Sequence, residues 1–426
     1  MRIWIKDIIV ITVNEDFDIL ENSNVYIEGN RIYHVGGRLD DFNPEKIIDG
    51  KGKVCMPGLI NAHTHIGMSV FRNYGNDVSL ETWLREFIWP MEKKLSSEDI
   101  KTSSELAIAE MIETGTTTFV DMYLKMDEVA ESVEKYGLRA VLTKGLIHPD
   151  QNTLEKETDF YKRWHNSADG KIKVMIAPHA VYTNSREELI RESELAKNLD
   201  VGIHIHLNES QMEVENSIRE NGFSPLEYAH SLGMIDEKTI AAHCVWLSEK
   251  EIEIAKTTGM TMVHNPASNM KLASGFMRAQ ELLDMEINVA LGTDGVSSNN
   301  VLDMFEEMKL ASLIAKGSTL NPKVLNAKTV IEMATINGAK AIGMERELGR
   351  IKKGYLADLI IVDLDNIRHT PNTDVVASMV YSTCGNDVDT TIVDGKILYE
   401  NKRHCKLDVK KLMSEVSEIF DKLRKS

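Results

Sequence analysis

The spacing of the hydrophobic residues changes along the chain. In residues 1–57 and again in 346–403, apolar and polar positions alternate over short runs that are separated by turn dipeptides, such as Gly-Asn in NVYIEGNRIYHVGG and Asp-Gly in TTIVDGKILYENKR. This alternation predicts β-strands joined by tight turns. We therefore expect the two chain ends to combine into one small β-sandwich; two separate hairpin modules are the alternative.

Residues 58–345 show a different pattern, in which apolar runs of strand length alternate with segments at helical spacing. This order is typical of βαβ units around a parallel sheet. The candidate strands lie near 58–63, 116–122, 139–145, 171–179, 201–207, 239–244, 261–265 and 288–294. Eight such strands predict an α/β fold with a (β/α)8 TIM-like barrel, with an open doubly wound sheet as the alternative. Residues 404–426 repeat apolar side chains at helical spacing, which predicts a C-terminal helix packed on the body.

Composition narrows the classes of function. No apolar stretch approaches the ~18 uninterrupted residues of a membrane span, and charged residues interrupt the apolar N-terminal segment, which lacks a cleavage site. The net charge of −17 disfavours nucleic-acid binding, and the four cysteines have no paired spacing. We expect a cytoplasmic homo-oligomer that acts on a small molecule and has no nucleic-acid or membrane partner.

Histidines and an aspartate stand at the ends of several predicted strands. His63 and His65 are two apart and share one strand face, while His206 and Asp294 end later strands. Because the carboxyl ends of barrel strands converge, these four residues can meet. Three imidazoles and one carboxylate form a typical site for zinc or ferrous iron. We expect one divalent metal, zinc before iron; His204 is the alternative to His206 as a ligand.

Further residues at strand ends are candidates for catalysis. A divalent metal lowers the pKa of bound water to roughly 7, and Glu209 and Asp294 are placed to divide the proton transfers. His243 is expected to orient the hydroxide, and His179 to contact substrate; a structural role is the alternative for Glu209 and for both histidines. His264 lies in a loop that we expect to shape the pocket rim.

The residues on the fourth strand bear on the metal count. Binuclear barrels of this general type use a bridging lysine or carboxylate there, whereas this chain has His179, and Lys144 falls on the third strand. A cyclic-amide hydrolase would need two metals, so a single-metal hydrolase is favoured. A metal-stabilised binding protein is the non-catalytic alternative, but such a protein has no evident use for Glu209.

The chain resembles the amidohydrolase superfamily, in its mononuclear aminohydrolase branch, in the segments PGLINAHTH, HIHLNES, AAHC, HNPASNMKLASG, LGTDG and GYLADLIIVD. Within that branch it is similar to the 5-methylthioadenosine/S-adenosylhomocysteine deaminases in NAHTHIGMSVFRNYGNDVSLETWLREFIWPMEKKL and NNVLDMFEEMKLAS. The resemblance implies hydrolytic deamination of an adenine nucleoside, with release of ammonia, in purine salvage. Guanine, a pterin or an s-triazine are alternative substrates in the same branch.

The resemblance also implies residue roles. It gives the same four metal ligands as the strand ends. Glu209 is implied to protonate the adenine ring, while His243 and Asp294 manage the hydroxide. Glu92, in WPMEKKL, corresponds to the acid that binds the ribose hydroxyls, and His179 to a histidine that contacts the nucleoside.

One segment departs from the pattern. Some members hold the homocysteine carboxylate with arginines after the third strand, where this chain reads TKGLIHPDQNTLEKE. Lys144 and Arg163 are the alternative cations, although a lysine cannot reproduce the bidentate fork of an arginine. The departure favours adenosine, 5'-deoxyadenosine or methylthioadenosine over S-adenosylhomocysteine.

Overall fold

The structure, a computed structural model, describes residues 1–425. The strands are β1 (Arg2–Ile11), β2 (Ile19–Glu28), β3 (Arg31–Gly36), β4 (Lys46–Asp49), β5 (Lys53–Pro57), β6 (Leu59–Thr64), β7 (Thr116–Tyr123), β8 (Arg139–Leu146), β9 (Ile172–Val174), β10 (Ala177–Pro178), β11 (His204–Leu207), β12 (Ile240–His243), β13 (Thr261–His264), β14 (Asn288–Leu291), β15 (Leu359–Asp363), β16 (Val388–Val393), β17 (Lys396–Glu400) and β18 (Arg403–His404). The central strands follow the predicted runs closely.

Helices separate most of the central strands. They are α1 (Leu80–Thr82), α2 (Trp89–Glu92), α3 (Ser97–Glu113), α4 (Met126–Tyr136), α5 (Gln151–Trp164), α6 (Ser167–Gly170), α7 (Arg186–Leu199), α8 (Gln211–Asn221), α9 (Pro225–Ser231), α10 (Glu249–Thr258), α11 (Pro266–Lys271), α12 (Ala279–Asp284), α13 (Met304–Thr319), α14 (Ala327–Met333), α15 (Ile336–Ala341), α16 (Val375–Tyr381) and α17 (Val409–Lys425). Single helical turns are Ile66–Phe71, Val181–Thr183, Ile367–His369, Gly385–Asp387 and the π-helical Trp83–Ile88. Among the described residues, no helix is both long and apolar enough to cross a membrane.

Strands from both chain ends share one nine-stranded sheet. Its order is β18-β17-β16-β15-β5-β1-β2-β3, and β4 pairs with β1. The antiparallel pair of β5 and β15 joins the two ends of the chain. Alternate residues such as Ile3, Ile5, Leu359 and Ile361 enter one apolar core. The predicted association of the chain ends is therefore present, while the two layers of a sandwich stay a prediction.

The central strands form two parallel sheets. The first has the order β10-β8-β7-β6, with β9 also on β8, and the second has the order β11-β12-β13-β14. Isolated parallel bridges from Ile176 to Ile203 and from Ala180 to His206 connect the two sheets. The predicted α/β class with parallel strands is thus confirmed, and the carboxyl ends of these strands carry the candidate site.

A buried ionic cluster joins the first parallel sheet to the terminal sheet. Arg139, at the start of β8, donates through Nε and Nη2 to Asp358 at 3.0 and 3.2 Å. Its Nη2 also lies 3.6 Å from Asp394 Oδ1, and all three side chains are buried. The cluster places one cation between two carboxylates at the junction between the two sheets.

Replacing Arg139 is expected to destabilise the fold strongly. Arg139→Leu should lower the free energy of unfolding by about 3–5 kcal/mol, because it leaves the buried carboxylate of Asp358 without its counter-charge. Urea unfolding measures the change. Arg163→Gln is the control, since its exposed pair with Asp127 should contribute at most about 1 kcal/mol. Equal losses in the two variants would contradict the expected difference.

Candidate active site

One cavity receives the ends of the parallel strands. Its volume is about 730 Å³ with the open mouth included. Seven predicted site residues line it: His65, Glu92, His179, His206, Glu209, His243 and Asp294. His63, the remaining one, is fully buried with its ring 4.8 Å from that of His65. The structure therefore brings together every residue that the sequence singled out for the site.

Three imidazoles direct the same nitrogen toward the centre of the site. His65 Nδ1 donates to Met122 O at 2.5 Å, and His206 Nδ1 donates to His179 O at 2.7 Å. The Nε2 atoms of His65 and His206 lie 3.4 Å apart. His63 Nε2 is buried without a hydrogen bond, 3.5 Å from Asp294 Oδ1. This unsatisfied ring nitrogen beside a carboxylate suits a cation.

A chain of hydrogen bonds behind His63 determines its tautomer. Thr143 Oγ1 donates to Asp121 O at 2.8 Å, so its oxygen is left to accept from His204 Nδ1 at 3.2 Å. His204 Nε2 then accepts from His63 Nδ1 at 2.9 Å. Burial lowers the pKa of His63 to about 4 and also lowers that of His204, so both rings are neutral near pH 7. Both nitrogens of His204 are thus already engaged.

The carboxylate of Asp294 is held by several donors. Its Oδ2 accepts from Ser268 Oγ at 2.6 Å and from Ser298 Oγ at 2.9 Å, while Oδ1 accepts from Gly295 N at 2.7 Å. His65 Nε2 lies 3.1 Å from the same Oδ1. Burial raises the pKa of Asp294, but the facing imidazoles outweigh it and bring the pKa well below its ordinary value. Asp294 is therefore ionised.

Glu209 and His243 face each other across the cavity. His243 Nδ1 donates to Asn269 Oδ1 at 2.9 Å, and its Nε2 lies 3.8 Å from Glu209 Oε2 and 4.0 Å from Asp294 Oδ2. Burial raises the pKa of Glu209, so its acid form persists to higher pH than that of an exposed glutamate. Burial lowers the pKa of His243, but Glu209 and Asp294 outweigh it and raise the pKa. The three residues can hold and exchange protons.

A helical segment covers the outer part of the cavity. This cover helix, residues 80–92, consists of α1, the π-helical turn and α2, and it contributes Trp83, Trp89 and Glu92 to the cavity wall. Burial raises the pKa of Glu92, although the nearby hydroxyl of Tyr123 opposes the shift. Opposite, burial lowers the pKa of His179 to about 3, so its ring is neutral. The outer cavity thus combines aromatic surface with an acid and a neutral imidazole.

The cations that the sequence offered for a substrate carboxylate lie outside the cavity lining. Lys144 Nζ pairs with Glu157 at 3.0 Å, and Arg163 pairs with Asp127 at 2.9 Å. Arg85, on the cover helix, lines an adjoining outer chamber instead, and its Nε lies 3.1 Å from Glu81.

Several supporting residues escaped the sequence analysis. The role of His204 as a partner of His63 depends on how deep in the site it lies along β11. The spacing of residues in the sequence does not show this depth. Ser268 and Asn269 lie in HNPASNMKLASG, one of the segments that carry the family resemblance. That resemblance was the signal that could have identified them. His264, in the same segment, is not among the residues that line the cavity.

Residues 54–398 match the Amidohydrolase family, and the chain belongs to this family, as the resemblance predicted. A 5-methylthioadenosine/S-adenosylhomocysteine deaminase of Thermoanaerobacter pseudethanolicus is 45% identical over 98% of both chains. A 5'-deoxyadenosine deaminase of Methanosarcina mazei is 44% identical over 99% of this chain and 98% of that one.

Solved structures resemble the whole chain. An adenosine deaminase from Xanthomonas campestris with bound zinc has a TM-score of 0.96 and 32% identity, and the match covers 100% of this chain and 99% of that one. A guanine deaminase from C. acetobutylicum has a TM-score of 0.84 over 93% of this chain and 100% of that one. At 23% identity, the second likeness concerns the fold alone.

Proposed function

We propose that the chain is a metal-dependent deaminase that converts adenine nucleosides and water into inosine analogues and ammonia. The observation that carries this proposal is the meeting of Glu209, His243 and Asp294 beside three converging imidazoles in one cavity. The names of the relatives, deaminases of 5-methylthioadenosine, S-adenosylhomocysteine and 5'-deoxyadenosine, support the same reaction. Adenosine, 5'-deoxyadenosine and methylthioadenosine are the preferred candidates, because neither Lys144 nor Arg163 lines the cavity.

His63, His65, His206 and Asp294 would hold one divalent ion. The free Nε2 of buried His63 and the ionised Asp294 fit such a group. Zinc is the first choice because the Xanthomonas campestris structure contains it, and iron is the alternative. When bound, a divalent ion lowers the pKa of water to about 7, which makes hydroxide available near neutral pH.

The protein groups account for the proton transfers. Glu209 is placed to donate its proton to a nitrogen of the adenine ring, which makes the carbon bearing the amino group more electrophilic. The oxygen of the attacking water bonds to this carbon while His243 and Asp294 accept one of its protons, and that proton passes to the departing amine. The carbon–nitrogen bond then breaks, ammonia leaves, and the remaining hydroxyl proton returns to Glu209 as the carbonyl group forms. The raised pKa of Glu209 keeps it available as an acid at neutral pH.

The strand arrangement supports a closed (β/α)8 barrel in residues 58–345. Beyond the bridges that join the two parallel sheets, Asp294 N donates to His63 O at 2.9 Å, between the ends of β14 and β6. The domain division that goes with this barrel has two further parts. One is a β-sandwich formed by residues 1–57 and 346–403, and the other is the C-terminal segment 404–426. A cytoplasmic location and a homo-oligomer stay predictions.

An ammonia-release assay over several substrates tests the function. Adenosine, 5'-deoxyadenosine, methylthioadenosine and S-adenosylhomocysteine are compared with guanine and an s-triazine. We expect ammonia from the adenine nucleosides, with S-adenosylhomocysteine the weakest of them. Ammonia from guanine or the triazine alone would identify a different aminohydrolase.

Glu92 is expected to determine nucleoside binding. A carboxylate accepts hydrogen bonds from the two ribose hydroxyls more strongly than an amide does, so Glu92→Gln should raise the KM for adenosine about tenfold. The kcat should change little, because Glu92 lies away from the reacting carbon. Steady-state kinetics measure both values, with exposed Glu86→Gln on the same helix as the control. An unchanged KM would exclude the ribose contact.

His204 is expected to control metal affinity without binding the metal. His204→Asn should weaken zinc binding by about 10–100-fold, because His63 loses the acceptor that orients its ring. Competition with a chromophoric chelator measures the affinity. His264→Asn is the control, since His264 is another buried histidine that does not line the cavity. Unaltered affinity in His204→Asn would contradict the orienting role.

A further inference from the structure

Three aromatic rings connect the cover helix to the C-terminal helix. The ring of Tyr74 contacts Phe87, on the cover helix, edge-to-face with centroids 5.6 Å apart and planes at 74°. The same ring contacts Phe420, on α17, at 5.6 Å and 72°. We call Phe87, Tyr74 and Phe420 the aromatic bridge. It runs from the back of the cover helix to an element distant in sequence.

The cover helix packs tightly beside this bridge. Gly75 has a φ of +74°, and a Cβ placed there would lie 3.0 Å from Phe87 Cβ and 3.1 Å from Trp83 Cδ1. Gly75 therefore lets the backbone approach the helix more closely than another residue could. Trp83 in turn lines the cavity. The backbone next to Tyr74 therefore packs against both the bridge residue Phe87 and the cavity-wall residue Trp83.

A second contact ties α17 to the segment that follows the cover helix. Lys94 Nζ, two residues beyond the helix, donates to Leu423 O at 3.3 Å. Phe420 and Leu423 lie about one turn apart on α17, so the same side of this helix carries the contact to Tyr74 and the contact to Lys94. Leu412, Val416 and Leu423 are buried and anchor α17 on the body.

The cover helix holds its position through tertiary packing, with Trp83, Ile88 and Met91 buried in the main core. It is short, its α1 part buries no residue, and its middle is a π-helical turn. Short helices are marginal in water without tertiary packing. Its placement over the cavity therefore depends on the elements packed behind it.

We propose that Phe420 is a positioning residue, and that α17 acts through the aromatic bridge to hold the cover helix against the bound nucleoside. This role rests on the proposed function, which identifies the bound substrate as a nucleoside. Phe420 acts on binding, through the placement of Trp83, Trp89 and Glu92. The residues at the strand ends, which carry the proton transfers, are independent of it.

Kinetics of full-length variants test this role. Phe420→Ala should raise the KM for adenosine about three- to tenfold, the effect of removing an edge-to-face aromatic pair, while kcat stays within about twofold. Binding of the product inosine, measured by calorimetry, should weaken by the same factor. Phe420→Tyr should restore both values, and Met413→Ala, at an exposed position of α17, should change neither. A fall in kcat with KM unchanged would overturn the proposal.

Hydrogen exchange separates this proposal from the proposed function. Phe420→Ala should speed amide exchange in residues 80–92 but not in β11 or β12, and Met413→Ala should not. Phe87→Ala tests the bridge from its other end and should give the same exchange pattern, even if Phe420→Ala folds poorly. Unchanged exchange in residues 80–92 in both bridge variants overturns the positioning role. Absence of deamination of every adenine nucleoside tested, in the unaltered chain, would instead refute the proposed function.

Discussion

Glu209→Gln is expected to lower kcat for adenosine by about 10²–10⁴-fold, the usual range for loss of a general acid. The amide has nearly the same shape but has no acidic proton to give to the adenine ring. Burial raises the pKa of Glu209, so the unaltered enzyme keeps the donor protonated at pH values where an exposed glutamate is ionised. The KM should change only a few-fold, and the metal content should stay the same.

Single-turnover and steady-state assays of ammonia release measure this effect. Exposed Glu220→Gln, at the rim of the outer chamber, removes one carboxylate nearby and should behave like the unaltered chain. Because a raised pKa favours the acid form, activity that depends on Glu209 is present below its pKa and declines above it. A Glu209→Gln variant that deaminates adenosine at the normal rate would rule out this mechanism.

Asp294→Asn is expected to have an even larger effect, a loss of about 10⁴-fold or more in kcat/KM. The substitution removes a proton acceptor and, at the same time, an anionic oxygen from the proposed metal site. His63 and His65 both face Oδ1, so the metal content should fall together with the activity.

Kinetics with elemental analysis of the same preparations check this prediction. Ser298→Ala is the matched control, because it removes one hydrogen bond to Oδ2 but leaves the carboxylate. Such a loss of one hydrogen bond to a charged group should cost at most about 100-fold in activity, well below the loss expected for Asp294→Asn. Asp294→Asn with full metal content and activity within tenfold of the unaltered chain would show that Asp294 is neither a ligand nor a base.

The strand-end residues were predictable because their positions follow from simple geometry. His63 near the end of β6 and His65 just after it are two apart, the spacing that puts strand side chains on one face, and parallel strands bring their carboxyl ends to one place. The same rule could not separate His206 from His204, because both share a face of β11. Their difference depends on long-range contacts: His204 Nε2 meets His63 Nδ1, while His206 Nε2 meets His65 Nε2.

The hydrophobic pattern of the sequence could not predict features that depend on contacts between residues far apart in the chain. Two strand-rich chain ends indicated a shared domain, but the antiparallel register of β5 with β15 joins segments about 300 residues apart, and periodicity has no information on such a pairing. The cover helix was missed as an element because its π-helical turn breaks the regular helical spacing. Glu92 was predicted as a site residue only from the family resemblance, because its position beside Tyr123 depends on the folded cover helix.

A zinc titration tests the central claim most directly. The chain is treated with a chelator, Zn²⁺ is added in steps, and adenosine deamination is measured at each step. The proposed site predicts negligible activity without metal, a linear rise, and a plateau at one ion per chain. Full activity in the metal-free chain, or a plateau at two ions per chain, would contradict a single-metal deaminase.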